Sequence, residues 1–117
     1  MIRQNNDHGS VNVSSGVYTD IAGTVATNCF GVKGMAARSV RDGMYRLLRK
    51  ESMSKGVKVT LHEDDTISVD LHIIVDNGVN LASVGESIIS RVRYEVHKYT
   101  GTQVRKVNVF IDSMMIG

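Results

Sequence analysis

The sequence predicts an α+β fold, a two-layer sandwich in which helices cover one face of a single sheet of about four strands. Three observations carry this expectation. Residues 57–61 and 67–75 set apolar side chains at every second position, with polar residues between them except at Ile74, the mark of strands buried on one face. Leu81, Val84, Ile88, Val92, Val96 and Tyr99 recur at helical spacing and form one apolar stripe. Half-polar strands need only one covering layer, so the helices belong on one side.

Taken in order, residues 1–8 are polar and are expected as a flexible tail, leaving 9–117 as one domain. Ser10 to Ser14 alternates and predicts a short strand. Ser14 or Ser15 can cap a helix that follows, with Val17, Ile21, Val25 and Cys29 on its apolar side and Gly23 inside it. Gly31 or Gly34 ends that helix. A second helix is expected from about Met35 to Lys50, with Val40, Met44, Leu47 and Leu48 inward and a dense set of arginines outward. The hairpin comes next, turning at Glu63-Asp64-Asp65. Pairing of residue 59 with 69 would set Lys58 opposite Asp70. The longest helix begins at Asn80 or Ser83 and stops at Gly101, and a last strand covers roughly Gln103–Asp112. The predicted order is strand–helix–helix–strand–strand–helix–strand, with the pairing of the outer strands left open.

Composition narrows the function. Hydrophobic residues are 42% and charged residues 22%, which is globular rather than disordered. A net charge of +2 implies neither nucleic acid nor an anionic membrane by itself. Cys29 is the only cysteine, so no internal disulfide or multi-cysteine zinc site is possible. No apolar run has the roughly 18 residues of a spanning helix, and the N-terminus has no signal-peptide pattern. A cytoplasmic protein without direct membrane insertion is expected.

No catalytic constellation is visible. His8, His62, His72 and His97 lack the spacing of a metal site, and Glu63-Asp64-Asp65 lacks a calcium loop. Cys29 falls on an apolar stripe near a helix C-terminus, with no base beside it in the pattern, and reads as packing. No serine stands in a nucleophile elbow. The expectation is a non-enzymatic protein with no metal and no cofactor.

Two binding surfaces remain. Gly31-Val32-Lys33-Gly34 between two helices is the arrangement with which KH domains clamp a nucleic-acid backbone, and Lys33, Arg38 and Arg41 would extend its basic footprint. The small net charge argues against this alternative. The other is the sheet face turned from the helices, where Ser10, Asn12, Lys58, Thr60, Asp70, His72, Ile74, Asn108 and Phe110 are expected. Of these, Lys58, Asp70, His72, Ile74, Asn108 and Phe110 are the candidate partner-binding residues, Ile74 and Phe110 being apolar on a polar face.

Gly9-Ser10-Val11-Asn12-Val13-Ser14, Ile21-Ala22-Gly23 and Cys29-Phe30-Gly31-Val32-Lys33-Gly34-Met35 resemble the alkaline shock protein family of Gram-positive bacteria. So do Lys55-Gly56-Val57-Lys58-Val59, Val69 to Val75, Asn77-Gly78-Val79-Asn80-Leu81, Tyr99-Thr100-Gly101 and Val107-Asn108-Val109. The match covers roughly residues 9–112. Asp42-Gly43 and Leu48-Arg49-Lys50-Glu51 are most similar to its YloU-like branch. The resemblance implies a non-enzymatic protein of the envelope or general stress response, acting as a self-associating scaffold or regulatory interaction module. It implies a homo-oligomer, a membrane-anchor protein or a kinase-type protein as partner, and peripheral placement at the inner face of the membrane through that partner. It carries over no catalytic residue and reads the GxxG segment as a plain connecting loop.

Overall fold

The computed structural model describes the backbone of residues 2–6, 8–38, 45–47 and 55–115, with side chains for 8–36 and 55–115. Its elements are β1 (Ile2–Asn6), β2 (Gly9–Val13), α1 (Ser15–Thr27), β3 (Val32–Arg38), β4 (Tyr45–Leu47), β5 (Val57–Leu61), β6 (Ile67–Asp76), α2 (Leu81–Thr100) and β7 (Val104–Met115). The expected α+β class holds, with two helices packed against a mixed sheet.

β6 is the axis of that sheet, because its residues are the most continuously apolar in the chain. One side of β6 pairs with β7 in parallel along its whole length. The other side is shared end to end: β5 takes the first half and β3 the second, both antiparallel. Lys58 stands opposite Asp70 and Val59 opposite Val69, the register expected from the alternation. β4 continues the sheet by pairing with the far end of β3. The parallel β6–β7 pair requires a long crossover, and α2 supplies it.

The core lies between this sheet and the helices. Tyr18, Ala22 and Ala26 of α1, Val84, Ile88, Val92 and Val96 of α2, and Val69, Leu71 and Ile73 of β6 are buried together. Asn80 Oδ1 accepts the Ser83 N–H at 3.0 Å and caps α2, while Gly101 closes it at φ 76°, its N–H donating to the His97 carbonyl. Ser14 occupies the N-cap position of α1 without a side-chain cap bond.

Three expectations are corrected. The second helix is absent from the described part of 35–50: residues 32–38 and 45–47 are strands. Ile73, Ile74 and Val75 explain why, since all three are buried and that end of β6 needs a neighbour on its free side. Gly31, at φ 86°, turns the chain back so that β3 becomes that neighbour. Ser10 and Asn12 do not join the main sheet, because β2 pairs with β1 in a separate two-stranded sheet. Residues 2–6, expected within a flexible tail, form the other strand of that pair.

Candidate functional site

The open face of the sheet is built on the parallel pairing of β6 with β7, which sets Asp70 beside Asn108 and His72 beside Phe110. Each pair makes a direct contact. Asn108 Nδ2 donates to Asp70 Oδ1 at 2.8 Å. The His72 imidazole lies flat on the Phe110 ring, centroids 4.7 Å apart and planes 12° from parallel.

A third group completes this cluster. β7 carries one extra residue between Ile111, opposite Ile73, and Ser113, opposite Ile74, and that residue is Asp112. Such a bulge re-aims a side chain. Here His72 Nδ1 donates to Asp112 Oδ2 at 2.9 Å, with the Asp112 side chain only 10% exposed. Phe110 keeps 43% of its surface in solvent while one ring face rests on the held imidazole. It is an apolar group fixed in place rather than free to fold back.

Of the six candidate residues, five therefore lie together on the face: Lys58, Asp70, His72, Asn108 and Phe110. Ile74 does not. It is flanked by Gly34 of β3 and Ser113 of β7 and is 3% exposed, so it cannot be an accessible contact. Asp112 was missed because the expected strand ended there. The period-two series 106, 108, 110, continued one step, would have found it.

The KH-like reading fails on geometry. Gly34 is a strand residue paired with Ile74, not part of a loop between helices. Lys33 is the bulged residue of β3, and its Nζ is held 3.2 Å from Asp76 Oδ1. Arg38 lies in β3 with its backbone opposite Tyr45, and Arg41 lies outside the described residues. Cys29 is buried in the core, its Sγ donating to the Val25 carbonyl. A concavity of about 590 Å³ opens between Phe30 and the start of α2, and the one charged group in its lining is Asp76, already held by Lys33. Among the described residues, no helix is long and apolar enough to cross a membrane.

Comparison with known proteins gives this face its context. A family model for the alkaline shock protein 23 family, described as having a cell envelope-related function, matches residues 3–116. The uncharacterized protein YloU of Bacillus subtilis (strain 168) is 33% identical over 110 residues, covering 93% of this chain and 91% of that protein. The uncharacterized protein Spy1614 of Streptococcus pyogenes serotype M6 is 34% identical over 116 residues, covering 98% and 95% respectively. YqhY, another uncharacterized Bacillus subtilis protein, is 30% identical over 103 residues, covering 88% of this chain and 75% of its own. No solved structure matches. With a family model spanning nearly the whole chain and two relatives above 30% identity end to end, this protein belongs to the alkaline shock protein 23 family, whose function is cell envelope-related.

Proposed function

We propose that the protein is a non-catalytic interaction module of the envelope response that associates with further copies of itself through β7. The observation that carries this reading is Phe110, half exposed on the open face and braced by His72 and Asp112. Two features support it. Among the described residues β7 pairs with β6 alone, so beyond Arg105, whose carbonyl accepts from Arg93 Nη1, its other edge is open to a further strand. Met114 and Met115 at its far end are also exposed and supply adaptable apolar surface.

A two-fold axis perpendicular to the sheet would let two β7 strands pair antiparallel into one continuous sheet. Both helical layers would then stay on one side, and Phe110 of each copy would flank the seam on the other. A membrane-anchor protein or a kinase-type partner could use the same edge, in competition with self-pairing.

Light scattering coupled to size exclusion, run over a range of concentrations, tests this directly. The expected result is a mass that rises with concentration in the native chain and stays monomeric in Phe110→Asp. A native chain that remains a monomer at every concentration overturns the reading.

A further inference from the structure

Phe30 is the most exposed large apolar side chain among the described residues, with 91% of its surface in solvent. Its backbone is nonetheless fixed. The Cys29 carbonyl accepts the Val32 N–H at 3.2 Å and the Gly31 carbonyl accepts the Asp76 N–H at 2.8 Å, so the turn that carries Phe30 is tied on both flanks. Gly31 lies close against Val79 and Val84, and both valines line the concavity of about 590 Å³ that opens beside the ring. A cavity of that size suits a small molecule.

The wall facing Phe30 is polar and uncharged. Asn80, Ser83 and Ser87 recur at i, i+3 and i+7, which sets them in one stripe of about 10 Å along the start of α2. Asn80 gives its Oδ1 to the Ser83 N–H and keeps its amide donors. Among the described residues, the Ser83 and Ser87 hydroxyls and the side-chain amide of Asn77 make no hydrogen bond. Asp76 shares one carboxylate oxygen with Lys33 Nζ at 3.2 Å and keeps the other, so the pair adds acceptor capacity without net charge.

We infer that this concavity binds a neutral saccharide about two linked rings long. A sugar ring has an apolar C–H face and a rim of hydroxyls that both donate and accept. Phe30 supplies a flat apolar surface for the face. The amides of Asn77 and Asn80 and the hydroxyls of Ser83 and Ser87 supply mixed donors and acceptors for the rim. The free oxygen of Asp76 adds a charge-assisted acceptor.

Other small ligands fit less well. An anion meets the Asp76 carboxylate and a cation meets Lys33, each charge being already compensated. A wholly apolar ligand would strip water from the polar stripe and return none of its hydrogen bonds. A nucleobase could stack on Phe30, but its hydrogen-bonding edge is short beside a stripe of about 10 Å. The concavity is built on α2 and the turn between α1 and β3, apart from Phe110 on the open sheet face, so the inference does not rest on self-association.

The test is NMR titration of the isotope-labelled full chain with maltose, cellobiose and N,N′-diacetylchitobiose, with glucuronate, glucosamine and adenosine as comparators. At least one disaccharide is expected to give saturable amide shifts centred on Phe30, Asn77, Ser83 and Ser87. Phe30→Ala should weaken that binding by at least about threefold. The ring is exposed, so the rest of the variant's spectrum should stay native. Ser83→Ala/Ser87→Ala, which keeps the ring and every charge, should weaken binding as well. No saturable shift with any disaccharide, shifts centred elsewhere, or undiminished binding in Phe30→Ala overturns the proposal. So does tighter binding of adenosine, glucuronate or glucosamine than of the disaccharides, which would make this a base or ion site. Phe110→Asp should bind the disaccharide as the native chain does, so failure of self-association and failure of this inference read out separately.

Discussion

The hydroxyls of Tyr18 and Thr102 stand 2.6 Å apart in the core and share a hydrogen bond that ties α1 to the segment after α2. Both side chains are buried, and Thr102 is the one polar residue in the buried set of the described chain. A polar pair in such a place is neutral to stability only while both members are present. Tyr18→Phe strands the threonine hydroxyl and is expected to cost about 1–3 kcal/mol in urea unfolding. Tyr18→Phe/Thr102→Val removes both partners and should cost less than the sum of the single changes.

Gly31 carries the turn that makes a strand of what reads as a helix. Its φ of 86° disfavours any other residue, and a Cβ there would stand 3.0 Å from Val79 Cγ1 and 3.3 Å from Val84 Cγ2. Gly31→Ala combines backbone strain with a clash against the start of α2. A loss of about 1–3 kcal/mol is expected by thermal or denaturant unfolding. Gly16→Ala, in open space at the start of α1 where only the Ser14 hydroxyl approaches to 4.0 Å, should be neutral or slightly stabilising.

How far these features were legible can be followed along β6. From Ile67 to Leu71 the alternation was strict, and it yielded the strand, its buried face and its register with β5. From Ile73 to Val75 the alternation breaks into three apolar residues, which marks a strand end covered on both faces. That signal demanded another neighbour, and the helical spacing of Val40, Met44, Leu47 and Leu48 led the reading elsewhere. Spacing over a few residues cannot separate a helix from strands joined by a turn when a glycine with positive φ precedes them. Ile74 was misplaced for the same reason, because its exposure depends on β3. Lys58, Asp70, Asn108 and Phe110 were legible because alternation alone assigns their face. The contacts among them needed the parallel β6–β7 pairing, and nothing local specifies that.

Asp64 sits exposed in the turn between β5 and β6, yet its carboxyl is lowered from 3.8 to about 2. The Thr66 hydroxyl, donating at 2.6 Å, is the main cause, and Arg105 Nη2 at 2.9 Å is the next. A pKa lowered on folding stabilises the native state above the unfolded value and loses that contribution as pH falls through the folded one. The turn should therefore loosen between about pH 4 and about pH 2. Carboxyl chemical shifts followed by NMR should show Thr66→Val raising the Asp64 midpoint more than Arg105→Gln does, each toward the ordinary value.

Phe110 joins the geometry of the open face to assembly. Its ring rests on His72, and His72 is held by Asp112, so three variants should act through one surface in different ways. Phe110→Asp removes the apolar group and adds a charge beside Asp112; dimer dissociation should rise by at least about tenfold, because one such contact at a seam is worth more than about 1.4 kcal/mol. Asp112→Asn keeps the size of the group but weakens the hold on His72, so a smaller loss is expected. Phe110→Leu keeps apolar area without the flat stack and should fall between the native chain and Phe110→Asp. Since Phe110 is already half exposed in the single copy, neither Phe110 change should lower monomer stability by more than about 1 kcal/mol. Concentration-dependent light scattering read beside urea unfolding separates the two effects. Equal self-association across all three variants would remove Phe110 from the interface and leave the outer backbone of β7 as the surface that remains.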